Sequence, residues 1–208
     1  MITILCGKSA SGKDTLLREL IKGEYFHPLV STTTRPMRDG EVQDKDYHFI
    51  KKDDFLKSLE NGDFLEYREY HTNVAGKPDT WYYGMTKAEV ERVENPIVIL
   101  DLQGAKAFQD YFGKENCITI YIHASDKTRQ ERAESRGSFD KTEWNRRLKD
   151  DDKVFNEKAL YEICDDCIVN EGCTLSEFKD LFNSIYYHTK VGRELDKEDR
   201  EDMEGVER

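Results

Sequence analysis

The stretch that most constrains what this chain can fold into is MITILCGKSASGKDTLLREL, Met1 to Leu20. A short apolar run (Ile2, Ile4, Leu5) passes into a Gly-rich turn, and Leu16, Leu17, Leu20 and Ile21 then recur at helical spacing. The order is strand, loop, helix. The turn fits G-x-x-x-x-G-K from Gly7 to Lys13. Glycines in this pattern let the backbone turn its N–H groups inward, where they and the helix N-terminus hold a phosphate of a nucleoside triphosphate. Ser9, Ala10, Ser11 and Gly12 belong to that cradle, and Lys13 supplies a mobile charge that bridges the β and γ oxygens. The residue after the lysine, usually Ser or Thr in such loops, is Asp14, with Thr15 following. A carboxylate there can hold Mg²⁺ through water, but it adds negative charge close to phosphate. The plain alternative is a Gly-rich turn with no ligand; the flanking strand and helix weigh against it.

Composition narrows the class. A chain of 208 residues can bury one good core and carry a small inserted lobe. The charged fraction of 36% and the mean hydropathy of −0.82 suit a soluble protein. No apolar run approaches a membrane span and no signal-peptide core precedes the first strand, so the expected location is cytoplasmic. A net charge of −11 argues against nucleic acid or an anionic membrane as partner. Any phosphate site is then a local basic focus in an acidic whole, and the expected partners are small-molecule nucleotides. Cys6, Cys117, Cys164, Cys167 and Cys173 are odd in number, so reduced thiols are expected. Cys164 and Cys167 form C-x-x-C, but a zinc site would need a further ligand at matching spacing.

Along the chain, Pro28 to Ser31 reads as a short strand, followed by a Pro/Gly-punctuated loop with Arg35 and Arg38 and an alternating strand from Tyr47 to Ile50. Two arginines on one loop suit a shared phosphate; a solvated polar loop is the bland alternative. Lys52 to Glu60 reads as a helix ended at Asn61-Gly62, Phe64 to Tyr67 as a strand, His71 to Thr80 as a turn-rich insertion, and Trp81 to Gly84 as a strand. Thr86 with Glu89 is a capping box opening a helix that closes at Asn95-Pro96. Residues 32–94 therefore look like an inserted lobe of mixed α+β structure. Ile97 to Leu100 is a strand buried on both faces, and Asp101 at its end points toward the ligand crevice of an open α/β sheet. A helix from Gln103 to Phe112 and a strand from Cys117 to Ile122 follow. Ser125 caps a basic helix with Arg129, Arg132 and Arg136, and Glu143 to Leu160 reads as one charged helix. Cys167 to Val169 is a last strand and Leu175 to Tyr186 a last helix. From His188 to Arg208 there is no sustained period, which reads as a frayed charged helix or a disordered tail.

These residues resemble one family in its own order. STTTRPMRDGEVQDKDYHF from Ser31 to Phe49, GDFLE ending at Glu66, YYG at Tyr82 to Gly84, DLQG from Asp101, Arg132 and Arg136-Gly137, RRL from Arg146, and IVN ending at Asn170 are similar to guanylate kinase. The resemblance runs from Met1 to about Tyr187. It implies an α/β fold: a P-loop core with a parallel sheet flanked by helices (1–31 and 95–187), an inserted monophosphate-binding lobe (32–94), a helical lid at about 132–147, and the charged tail (188–208). It implies ATP and Mg²⁺, and transfer of phosphoryl from ATP to a purine nucleoside monophosphate, GMP or dGMP. Arg35, Arg38, Tyr47 and Tyr83 would hold the acceptor phosphate, Glu66 would accept from N1–H and N2–H of guanine, and Ser31 and Asp101 would complete the purine pocket. Arg132, Arg136 and Arg147 would neutralise charge over the ATP phosphates, and Asn170 would lie near adenine. Mg²⁺ would be held through the phosphates, with Asp14 and Asp101 as the acids at hand.

Three positions depart from the pattern. Met85 stands where the family has a Ser or Thr that donates to guanine O6, Ile99 replaces an Asp, and the stretch between Glu69 and Trp81 is longer. Losing one base contact costs on the order of 1–3 kcal/mol when its partner is left unpaired. The alternatives are therefore a monophosphate kinase of altered base specificity, with Met85 as the switch, and a non-catalytic binding module. The latter can dispense with the loop lysine and lid arginines, and this chain keeps Lys13, Arg132, Arg136 and Arg147.

Overall fold

A computed structural model describes the backbone of residues 1–74, 77–135 and 139–206, and the side chains of 1–71, 78–135 and 139–197. In chain order the elements are β1 (Ile2–Cys6), α1 (Lys13–Leu20), β2 (His27–Pro28), β3 (Thr32–Thr33), β4 (His48–Phe49), α2 (Lys52–Glu60), β5 (Phe64–Val74), β6 (Lys77–Thr86) and α3 (Lys87–Arg92). They continue with β7 (Pro96–Ile99), α4 (Leu102–Phe112), β8 (Cys117–His123), α5 (Asp126–Glu134), α6 (Lys141–Val154), α7 (Glu157–Ile163), β9 (Asp166–Val169) and α8 (Leu175–Val206). The chain divides into two compact units, Met1–Tyr25 with Ile97–Arg208, and Phe26–Pro96.

In the first unit the sheet runs β7-β1-β8-β9, all parallel. Ile4, Leu5, Ile97, Ile118, Ile120 and Ile122 are fully buried, as apolar runs covered by helices on both faces require. α1 contributes Leu16 and Leu20, α4 Ala105 and Phe108, and α8 Phe178, Phe182 and Tyr186. Among the described residues no helix is long and apolar enough to cross a membrane, and no cluster of three metal-ligating side chains forms, the Cys164/Cys167 pair included.

The second unit is a sheet of order β4-β3-β6-β5. β3 and β4 are parallel, while β6 runs antiparallel to both β3 and β5. α2, at its expected bounds, lays Phe55 on Phe64 with ring centroids 4.2 Å apart.

Three expectations need correction, and one left open is decided. His71 to Val74 and Lys77 to Thr80 are strand and not a turn-rich insertion, residues 75 and 76 lying outside the described ones: β5 and β6 stay paired from Glu66↔Met85 to Val74↔Lys77, because cross-strand pairs such as Tyr70↔Trp81 extend the ladder. The charged helix 143–160 is two helices; Phe155 leaves helical geometry, stacks on Tyr121 at 5.7 Å, and Asn156 caps α7 by accepting from Ala159 N–H at 3.0 Å. Of the two readings of the segment from His188, the structure has the helix and not the disordered tail: α8 continues to Val206. Lys190 Nζ donates to the Tyr25 hydroxyl at 3.2 Å, Lys197 Nζ to Asn116 Oδ1 at 2.8 Å, and Arg193 to Asp165 at 2.5 Å and to the carbonyls of Lys114 and Cys117. Thr86 caps α3 as expected, but the Glu89 carboxylate, instead of closing the capping box, accepts from Val30 N–H at 3.0 Å and from Arg92 at 2.7 Å.

Candidate active site in two halves

The first half is the loop from Gly7 to Lys13. Gly7 has φ 156°, and a Cβ there would lie 2.5 Å from the Ile122 carbonyl oxygen; at Gly12, φ 109°, it would lie 2.4 Å from Asn170 Nδ2. Only glycine fits either place, and Ala10 between them is left-handed at φ 60°. α1 starts directly from the loop, with Leu16 N–H on the Gly12 carbonyl at 3.0 Å. Lys13 Nζ donates to the carbonyls of Gly7 at 2.6 Å and Lys8 at 3.0 Å. Burial pulls the Lys13 pKa below the usual ammonium value, opposed by the charges of Asp14 and Asp151. Asp14 and Thr15 are exposed in the first turn of α1.

The loop is supported from behind. The Ser11 carbonyl accepts from Asn170 Nδ2 at 2.9 Å and from Arg132 Nη1 at 3.1 Å, while Arg132 Nη2 donates to the Asn170 carbonyl at 2.9 Å. The fold thus brings Arg132 and Asn170 together on the loop. Beside them a cavity of about 300 Å³ is lined by Gly12, Thr15, Arg132, Asn170, Cys173 and Phe178 among others, a mixed wall that suits a flat heteroaromatic ring. Arg147 borders a second cavity of about 180 Å³ with Ser9, Ala10, Glu143 and Trp144. Its Nε donates to Glu143 at 2.7 Å, and Arg146 forks onto the same carboxylate. These two cations hold the Glu143 pKa down at about 2. Arg136 lies outside the described residues. Asp101 caps α4, its Oδ1 accepting from Gly104 N–H at 2.7 Å, so one oxygen of the acid expected to face the ligand is already engaged.

A second cluster of candidate residues belongs to the other unit. Arg35 is 4% exposed, its guanidinium forks onto Glu41 at 2.7 and 3.0 Å, and it lies 5.5 Å from the ring centroids of both Tyr47 and Phe49. Glu41 also accepts from the Arg38 backbone N–H at 2.7 Å, whereas the Arg38 side chain is exposed. The Arg35 hydrogen bonds hold the Glu41 carboxyl below its ordinary range and raise the pKa of Arg35 itself. Tyr47 and Tyr83 stand edge to face at 6.0 Å, and burial raises the Tyr47 pKa, keeping it a hydroxyl donor. The Ser31 carbonyl accepts from His48 N–H at 2.9 Å. Glu66 on β5 is half-buried and lies 3.1 Å from Arg68. Met85 is directly across the ladder from it and fully buried, which places apolar surface beside the acid. The neighbouring Thr86 hydroxyl is taken by Glu89 N–H at 3.3 Å.

The model of the family described as guanylate kinase matches residues 1–184. The chain belongs to the guanylate kinase family. It is 36% identical over 133 residues to a guanylate kinase of Helicobacter hepaticus (61% of each chain) and 35% identical over 147 residues to one of Wolinella succinogenes (67% of this chain, 64% of that one). The matched stretches thus span less than two thirds of those two relatives. A crystal structure of guanylate kinase from Anaplasma phagocytophilum aligns with a TM-score of 0.59 at 25% identity, covering 93% of this chain and 86% of that one. The guanylate kinase resemblance read from the residues and the α/β fold with a parallel sheet flanked by helices are both upheld. Sequence reasoning gave no site role to Arg129, Asp151, Glu41 or Glu143. All four sit in strongly charged segments where no local pattern separates a paired side chain from a solvated one.

Proposed function

We propose that this chain transfers the γ-phosphoryl group of MgATP to the α-phosphate of GMP or dGMP, giving two nucleoside diphosphates. The observation that carries the reading is the pairing, in one chain of the guanylate kinase family, of a lysine-bearing phosphate loop with a second anion-binding cluster that includes a carboxylate. The loop amides and Lys13 would hold the donor phosphates, with Arg132 and Arg147 adding charge neutralisation. Arg38, Tyr47 and Tyr83 would hold the acceptor phosphate within the frame set by Arg35 and Glu41. Glu66 would accept from two adjacent donors on the base, a pair that guanine offers. The acceptor phosphate, with a pKa of about 6, is ionised at neutral pH, so no general base is needed and positioning with charge neutralisation carries the catalysis.

Magnesium fits the donor half: Asp14 offers an exposed carboxylate at the start of α1, and Mg²⁺ prefers one or two carboxylates with phosphate oxygens and water. Bound there it would neutralise charge on the β and γ oxygens. The test is ADP release from MgATP with each ribo- and deoxynucleoside monophosphate in turn. Selective turnover of GMP or dGMP is the expected result. Turnover of another monophosphate would make Met85 a specificity residue, and silence across the panel would refute the assignment.

A further inference from the structure

One ion pair grips the tip of the phosphate loop from both sides. Ser9 N–H donates to Asp151 Oδ2 at 2.8 Å, and the Ser9 hydroxyl reaches Oδ1 at 3.5 Å. The Ser9 carbonyl accepts from Arg129 Nη1 at 3.0 Å, and the same Nη1 donates to Asp151 Oδ2 at 3.0 Å, which closes the ring. Arg129 Nη2 pairs with Asp126 at 2.7 Å. Arg129 has no exposed surface and its guanidinium lies over the Trp144 ring at 5.6 Å; the Asp151 side chain is 14% exposed. Next to this ring, Lys8 pairs with Asp152 at 2.6 Å.

Burying such ions is costly, and a buried pair adds little net stability compared with apolar packing. What it supplies is geometry. Holding the donor and the acceptor of one residue together leaves neither adjoining peptide free to rotate. The next residue, Ala10, adopts a left-handed φ of 60°, a conformation alanine disfavours, so the kink depends on restraint from its surroundings.

We propose that Arg129 and Asp151 are positioning residues for the phosphate loop: by fixing both backbone groups of Ser9 they preset the following amides for the donor phosphates. The proposal rests on the reading of this loop as the donor site. Arg129 stands on α5 and Asp151 on α6, which also carry Arg132 and Arg147, so the ion pair ties the shape of the loop to the helices that bear those arginines.

The test is the double variant Arg129→Leu/Asp151→Ala, which removes both charges of the ring together and so avoids stranding one partner of a buried pair. Asp151→Asn, which keeps an oxygen for Ser9 N–H without the charge for Arg129, is measured beside it. Melting temperatures, KM for MgATP, KM for GMP and kcat are recorded, with ADP affinity by calorimetry. The double variant should raise KM for MgATP about tenfold, with KM for GMP unchanged and kcat lowered less than about threefold, and the Asn variant should fall between it and the native protein. A KM for MgATP that stays native in both variants would show the pair to be packing alone and overturn the proposal. If the native protein neither binds ADP nor turns over MgATP, the donor-site reading fails and takes the proposal with it.

Discussion

The Gly7–Lys13 loop and the Arg35–Glu41 cluster, proposed above as donor and acceptor sites, are built on opposite plans. The loop is a backbone structure: its shape is set by Gly7 and Gly12, by Asn170 and Arg132 on the Ser11 carbonyl, and by Arg129 and Asp151 on Ser9. The cluster is built of side chains, and there the two arginines are placed differently. Arg35 is buried and forked onto Glu41, whereas Arg38 extends into solvent from a backbone that Glu41 also holds. At Gly7 and Gly12 the loop accepts no side chain, because a Cβ there collides with its neighbours. A side-chain cluster can separate the residue that builds the frame from the one that reaches the ligand.

The largest expected effect falls on the donor half. Lys13→Ala should lower kcat/KM on the order of a thousandfold, with GMP affinity by calorimetry and the melting temperature near native. Undiminished turnover would remove Lys13 from the mechanism. Next come the two acceptor arginines, whose division of labour is directly testable. Arg38→Ala should lower kcat/KM on the order of a hundredfold, mostly through KM for GMP, without loss of stability. Arg35→Ala should do the same and also destabilise by about 1–3 kcal/mol, because the Glu41 carboxylate loses its fork. Equal melting temperatures for the two variants would erase the distinction. Asn170→Ala, which takes one of two donors from the Ser11 carbonyl, should cost about 1–2 kcal/mol in chemical denaturation and raise KM for MgATP alone.

The smallest effect is one of pH. Arg146 and Arg147 depress the Glu143 pKa from 4.5 to about 2. A depressed carboxylate stabilises the folded chain above its unfolded pKa and loses that contribution as pH falls from about 4.5 toward about 2. The three side chains are exposed, so solvent screens the pairing and the contribution is small. Glu143→Gln should flatten the acid limb of melting temperature against pH slightly at low salt and not at high salt. A native acid limb at low salt would show the pairing to be without weight.

What could be read in advance follows the reach of the interactions. The strand, loop and helix of residues 2–20, the bounds of α2 and the Ser125 cap depend on residues within a few positions of one another, and the structure has them as expected. The run from His71 to Thr80 carries Gly and Pro, which mark turns locally, yet its two arms pair with each other as the end of a ladder that begins at Glu66↔Met85, and that ladder decides its state. The end of α8 is hidden for the same reason: Arg193 and Lys197 are ordinary charged residues until Asp165 and Asn116 lie opposite them. The candidate site divides likewise. The glycines of the loop and the arginines of residues 35 and 38 were legible, but that one arginine is frame and the other is reach depends on Glu41.

The dependence of the loop on Asn170 and Arg132 sets an order of events. Gly7 to Lys13 are synthesised before Phe26–Pro96, and the side chains that complete their support are made only after it. On the ribosome, the whole of Phe26–Pro96 is made while the Gly7–Lys13 loop still lacks this backing. The loop thus gains its full support only once Asn170 has been made and donates to the Ser11 carbonyl.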